Sequence, residues 1–179
     1  MDHALAMPLS LTFASELDAP LATVWDAIGT MEGVNAELAP WLKMTAPPEA
    51  SGFRIEVAPI GRPLFASWVL FGGLLPIDRH SFVLADVQAG HGFVESSTSW
   101  TERRWEHRRN LEPSGDGCLL VDRLTFTPRV SLSGPILARV IGAVFRHRHR
   151  RLRKRFGGRP SSDRLYMTSL QGDVVALGP

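Results

Sequence analysis

The sequence predicts an α+β fold in which one strongly curved antiparallel sheet is covered by a single long C-terminal helix. Three observations carry this. An alternating apolar and polar segment near the N-terminus leads into two short helical segments. Gly and Pro then punctuate a run of strand-like segments between residues 43 and 129. After Pro128 the apolar spacing becomes helical and stays so for about 20 residues. An open curved sheet needs an element to cover its inner face, and only the terminal helix is long enough.

Residues 9–17, "LSLTFASEL", place Leu9, Leu11 and Phe13 on one face, the pattern of a half-buried strand. In "DAPLATVWDAIGT", Pro20 suits a first helical position, and Leu21, Val24, Trp25 and Ile28 share one helical face. Gly29 suits its end. "NAELAPWL" reads as a second short helix, capped by Asn35 and limited by Pro40. Strands are expected at residues 43–46, 53–58, 64–71, 79–87, 91–100, 103–112 and 118–127, with "PSGDG" as the last hairpin turn. In the terminal helix Ser133 can cap, Pro135 sits just inside the start, and Gly157 and Gly158 end it. Residues 1–158 are expected to form one domain and residues 159–179 a tail, with room for one added strand.

The chain has 179 residues, is 44% apolar and 21% charged, and so reads as globular. Its net charge of +2 conceals one basic patch, since seven of the ten residues 146–155 are Arg or Lys. The rest of the chain carries 13 basic and 18 acidic residues. Nucleic-acid domains usually spread their charge over a face, so no nucleic-acid partner is expected. Cys118 is the one cysteine, which excludes an intrachain disulfide and a Cys-based metal site. "MDHALAMPLS" lacks the apolar core of a secretory signal, and no apolar run reaches the ~20 residues of a membrane span. The expectation is a cytoplasmic protein.

Several strings, in order, resemble the START-like superfamily, also called SRPBCC or helix-grip proteins. "ELDAPLATVWDAI" is similar to its opening, a strand end followed by a Pro-started helix carrying Val-Trp. "FVESSTSWTERRWEHRRNLEPSGDGCLLVDRLTFTPRVSLSGPI" resembles a bacterial ligand-binding branch. There a Phe-Val-acid strand leads to a Trp-x-His strand, a Gly-bearing turn and a strand with a central Asp. "VFRHRHRRLRKRF" is similar to that branch's helix end. Where the branch often carries Gly-Pro-Phe, this chain reads "SWTERR". The resemblance covers residues 9–157. It implies a seven-stranded antiparallel sheet gripping the C-terminal helix, a cavity between them, and an apolar small-molecule ligand of lipid, sterol-like or polyketide-like type. Some members are cyclases or hydrolases, and many carry or sense a ligand.

Within residues 103–112, Trp105, His107, Arg109 and Leu111 share the face with the large apolar residues and are placed inward. On the next strand Leu120, Asp122, Leu124 and Phe126 share a face, and a regular hairpin brings Asp122 beside His107 and Arg109. Three readings stay open: an ion pair bracing the sheet, a polar anchor for a ligand, or a His107–Asp122 acid–base pair in an enzyme. Trp41, Trp68 and Trp105 suit an apolar pocket. Leu124, and Leu137, Ile141 and Val144 on the helix, complete the expected lining. Gly72 and Gly73 read as a turn or bulge, with a gating loop as the alternative. No GxGxxG, Walker, HExxH or GxSxG motif occurs, and no metal or cofactor is expected.

On the terminal helix, Val140, Ile141, Val144, Arg148, Leu152 and Phe156 form the expected buried line. The remaining cations of residues 146–155 complement the negative helix end. Their number also leaves room for weak contact with an anionic membrane surface. Binding to nucleic acid would need stacking aromatics that this stretch lacks.

Overall fold

The computed structural model describes residues 7–50, 52–168 and 174–176. Strand β1 (Leu9–Leu17) leads to helices α1 (Leu21–Ile28) and α2 (Met31–Leu38). Six strands follow: β2 (Leu42–Met44), β3 (Pro63–Phe71), β4 (Leu75–Gln88), β5 (Gly92–Ser99), β6 (Glu102–Ser114) and β7 (Gly117–Pro128). Helix α3 (Gly134–Phe156) then crosses the sheet, and β8 (Arg159–Thr168) and β9 (Val174–Ala176) end the described chain. All pairings are antiparallel, in the order β2-β3-β4-β5-β6-β7-β1-β8-β9. The seven strands that the resemblance implies are present as β1 to β7. The stretch read as a tail adds β8, hydrogen-bonded along β1, and β9; residues 169–173 and 177–179 lie outside the described residues. Among the described residues no helix is long and apolar enough to cross a membrane.

Four local expectations are corrected. Residues 53–58 form a 3-10 turn, Ile55–Val57, instead of a strand. Ile55 N–H donates to Gly29 O at 2.9 Å, so this segment is tied to the α1–α2 junction and not to a sheet neighbour. Pro20 is the cap of α1, one residue before its helical start. Helix α2 begins earlier than expected because Thr30, not Asn35, caps it, accepting the Gly33 N–H at 3.0 Å. Asn35 instead pins β2, pairing with Met44 through Oδ1 (2.7 Å) and Nδ2 (2.9 Å). The Ser133 hydroxyl makes no cap bond and donates to Val130 O at 2.7 Å.

Two glycines are required by close packing. Gly158, just past the Gly157 cap of α3, has φ +112°, and a Cβ there would lie 2.0 Å from Glu16 O; the bare backbone lets the chain turn straight from α3 into β8. Gly33 lets α2 sit on the end of α1: a Cβ would stand 1.9 Å from Ala27 O. Gly33→Ala is therefore expected to cost about 1–3 kcal/mol by overpacking. Urea denaturation measures this, and an unchanged midpoint would show that the two helices can separate freely.

The core has two apolar clusters. One holds Leu17, Val24, Trp25, Ile28, Ile55, Leu84, Leu111, Cys118, Leu120 and Leu152. The other holds Leu9, Leu11, Phe13, Trp105, Leu124, Phe126, Ala138, Ile141 and Phe145. The gripped face of α3 is turned slightly from the expected line. Phe145 and His149 are buried, Val140 is 52% exposed, and Val144 and Phe156 are half-buried. The sheet closes on the Ala138–Phe145–His149–Leu152 side, which leaves Val140 and Val144 facing away from β1.

Candidate functional site

Between the two apolar clusters lies a buried polar layer, and each element crosses it at one step of its own period. Along β7 the inward residues run Cys118, Leu120, Asp122, Leu124, Phe126. Along β6 they run Leu111, Arg109, His107, Trp105, and along β1 Leu17, Ser15, Phe13. Helix α3 passes from Phe145 through Arg148 and His149 to Leu152. The β6–β7 register sets Arg109 directly opposite Asp122, as a regular hairpin predicts.

Asp122 is fully buried and all its hydrogen bonds go to protein. Arg109 donates from Nε to Oδ1 and from Nη2 to Oδ2, both at 2.7 Å. His107 Nε2 donates to Oδ1 at 2.8 Å and His149 Nε2 to Oδ2 at 3.0 Å. Behind His149, the Ser15 hydroxyl lies 2.8 Å from Nδ1 and itself accepts from Arg153 Nη1 at 2.6 Å. Arg109 also forks onto Glu37 of α2, with bonds of 2.9 and 3.0 Å, and Arg148 Nε donates to the same carboxylate at 2.9 Å. This layer ties β1, β6, β7, α2 and α3 together. Its charge-assisted, bidentate bonds are the strong kind.

Burial alone would raise both carboxyls, but the cations around each together outweigh it, Arg109 foremost. Asp122, also held by His107, lies well below the ordinary carboxylate range, and Glu37, also held by Arg148, lies below it. Burial would lower Arg109, yet the two carboxylates push it above its already high value. Further along, His80 Nε2 donates to Glu95 Oε1 at 2.5 Å, and the Ser97 hydroxyl donates to the same oxygen at 2.6 Å. Burial opposes both charges here too, but pairing wins: His80 is raised and Glu95 is depressed. His107 Nδ1 stands 3.7 Å from Glu95 Oε2, so His107 bridges the Asp122 layer and the His80–Glu95 pair.

A cavity of about 280 Å³ opens between the sheet and α3. Its walls are mainly apolar, with Leu38, Phe53, Val69 and Phe82 facing Leu137 and Ile141. Polar side chains gather on the β4–β6 wall, where Asp78, His80, Glu95, Thr101, Glu102 and His107 line it; Arg148 enters from α3. Trp105 lines it as well, and its Nε1 is the one buried side-chain polar atom without a hydrogen-bond partner among the described residues. The ring is enclosed by His80, His107, Phe126 and Phe145, which offer its N–H no acceptor in reach.

Of the residues expected to line a pocket, Trp105, His107, Leu137, Ile141 and Val144 do so. Five do not. Trp41 is 59% exposed, in the connection just before β2. Trp68 points to the other side of β3 from the cavity residue Val69, and packs edge-on against Trp100 with Arg79 over its ring. Arg109, Asp122 and Leu124 face inward but lie behind the lining, sealed by α3. Gly72 and Gly73, at φ +59° and +75°, form the β3–β4 turn.

The residues missed from sequence are Glu37, Glu95, Glu102 and His149. Arg148 stands on the expected buried line, and His149 also continues it from Ile141 and Phe145 to Leu152, so helical spacing could have found His149. Glu95 is the acid of the quoted Phe-Val-acid string. Glu102 lies in "SWTERR", where this chain departs from the resembling branch, and a register shift between Glu102 and Arg104 turns it inward. Nothing local marks Glu37 as buried. The basic stretch is thus structural in part. Arg148 and His149 are interior, His147 Nε2 donates to Ala39 O at 2.8 Å, and Arg151 Nε donates to Ala36 O at 3.2 Å. Arg146, Arg150, Lys154 and Arg155 remain exposed.

Comparison with solved structures places this geometry among START-like folds. A START superfamily protein from Mycobacterium smegmatis superposes with a TM-score of 0.59 at 14% identity, covering 83% of this chain and 97% of the other. Protein CV1439 from Chromobacterium violaceum gives 0.60 at 12%, covering 83% and 98%. The di-domain ARO/CYC StfQ from the steffimycin biosynthetic pathway gives 0.59 at 12%, covering 84% of this chain and 51% of that one. At these identities the likeness is one of fold, and the fold is the START-like helix grip. No curated protein matches the sequence. Residues 15–156 match the sequence model of a family described as "Domain of unknown function (DUF8410)".

Proposed function

The chain belongs to the DUF8410 family, and we propose that this member binds a hydrophobic small molecule of lipid, sterol-like or polyketide-like type between the sheet and α3. The carrying observation is the cavity itself. Its ~280 Å³ is near the lower end of small-molecule sites, and its mainly apolar wall with a few convergent polar groups is the usual composition of one. Trp105, His107, Leu137, Ile141 and Val144 would contact the ligand. Arg109 and Asp122 would hold His107 in place without touching it. Fold likeness to a START superfamily protein and to an ARO/CYC protein is in keeping with this reading.

The test is organic extraction of the purified protein followed by mass spectrometry, beside a Val144→Trp variant that fills the cavity from the helix side. A stoichiometric lipophilic compound is expected from the parent, and at least a tenfold lower yield from the folded variant. Equal amounts from both would place the compound elsewhere.

A second reading, an enzyme of cyclase or hydrolase type, is favoured by one observation. His107 stands on the cavity wall with its Nε2 anchored to Asp122 at 2.8 Å and its Nδ1 turned to Glu95 Oε2 at 3.7 Å, an imidazole held between two carboxylates. Asp122 is saturated, so its role would be to orient the imidazole. His107→Ala would then abolish turnover while ligand stays bound; unchanged turnover sinks this reading.

A further inference from the structure

Four acids are buried among the described residues: Glu37, Glu95, Glu102 and Asp122. Three have a cation. Asp122 has Arg109, Glu37 has Arg109 and Arg148, and Glu95 has His80. Glu102 has none, although it is only 5% exposed. Its carboxylate accepts the Ser99 hydroxyl, and the same Ser99 oxygen accepts the Glu102 N–H at 3.0 Å. Asp78 does not help: it caps the β5–β6 turn, accepting Trp100 N–H and the Thr101 hydroxyl, each at 2.9 Å. Arg129, just after β7, directs its Nε to Ser99 O at 2.8 Å and makes no ion pair with Glu102. Glu102 lines the cavity.

A buried carboxylate without a cation is costly, and proteins rarely keep one without a use for it. The wall around it carries Asp78, Glu95 and Glu102 beside His107 and His80, whose proton is already shared with Glu95; the Arg148 guanidinium, on the α3 side, is paired with Glu37. Phe82 and Trp105 flank His80 on the same wall, with ring centroids 4.9 and 5.9 Å from it, so aromatic surface adjoins the carboxylates. A cation is attracted by a carboxylate and by ring faces alike. The rest of the cavity wall is mainly apolar.

We propose that the ligand is an amphipathic amine, with its ammonium group paired to Glu102 and its hydrocarbon part lying along the α3 wall. This rests on the ligand-binding reading above and supplies the missing fourth cation. In the free protein, burial first and Asp78 after it push the Glu102 carboxyl up, while Ser99, Thr101 and, from beyond ion-pair distance, His80 oppose them. An arriving ammonium group reverses that balance.

The experiment is calorimetric titration of the whole protein with decylamine, 1-decanol and decanoate, each kept monomeric, at neutral pH. These share a tail and differ only in head group. Decylamine is expected to bind about tenfold or more tightly than decanol, the range a charge-assisted hydrogen bond supplies, and decanoate most weakly. In Glu102→Gln the amine preference should vanish while decanol affinity is retained, which also shows that the variant is folded. Equal binding of the three, or preference for decanoate, overturns the amine assignment and leaves the cavity reading standing. Failure of all three to bind overturns both. A preference that survives Glu102→Gln places the ammonium elsewhere and overturns the role of Glu102.

Discussion

Arg109→Ala is expected to lower stability by about 3–5 kcal/mol, the cost of breaking a buried pair from one side. The guanidinium is 1% exposed and makes four bonds, two to Asp122 and two to Glu37. Its removal strands Asp122 with only imidazole donors and leaves Glu37 with Arg148 alone. A domain of this kind has ~5–15 kcal/mol in total, so the variant should be marginal or fail to accumulate. Arg109→Lys keeps the charge but loses the fork, and a smaller loss is expected. The diagnostic measurement is a double variant. Asp122→Asn added to Arg109→Ala should cost less than the two single losses combined, because it removes the stranded charge. Strict additivity in urea unfolding would mean that the two residues act independently.

Acid should unfold the protein steeply. Asp122, Glu37 and Glu95 are all depressed in the folded state from ordinary values of 3.8, 4.5 and 4.5. The unfolded chain therefore binds protons first as the pH falls. The stability these groups contribute is fully present above their unfolded values and is lost as the pH drops through that range toward the folded ones. His80 has the opposite sign. It is raised from 6.5, so its contribution is present below that value and is lost as the pH rises through the folded one. Together these four groups favour a stability maximum between about pH 4.5 and 6.5. Urea midpoints measured across this range and below should fall steeply on the acid side, and Asp122→Asn should flatten the fall. A midpoint that is constant well into the acid range would contradict the depressed carboxylates.

Much of the fold was legible because backbone geometry imposes the periods of two and 3.6 on the side chains. The inward placement of Trp105, His107, Arg109 and Leu111, and of Asp122 and Leu124, followed from alternation, and the register agrees. Trp41 and Trp68 were misplaced because aromatic composition says nothing about face. Trp68 could have been excluded by parity, since Ser67 and Val69 are the inward residues of β3. Residues 53–58 look like a strand by punctuation, yet Val57 and Ala58 bond back within the segment and Ile55 N–H goes to Gly29 at the α1–α2 junction.

By itself the sequence determined the order of elements, the buried face of most of them, and a polar residue at the same step of β6 and β7. These are local consequences of side-chain period. Only the tertiary structure decided which charge meets which. Arg109 meets Glu37 across 72 residues and Arg148 meets it across 111, pairings set by how α2 lies against α3. It alone showed that much of the basic helix end is directed inward, and that Glu102 is left without a cation at the cavity wall. A charge's partner depends on distance in space and on the exclusion of water, and neither is written in the spacing of residues along the chain.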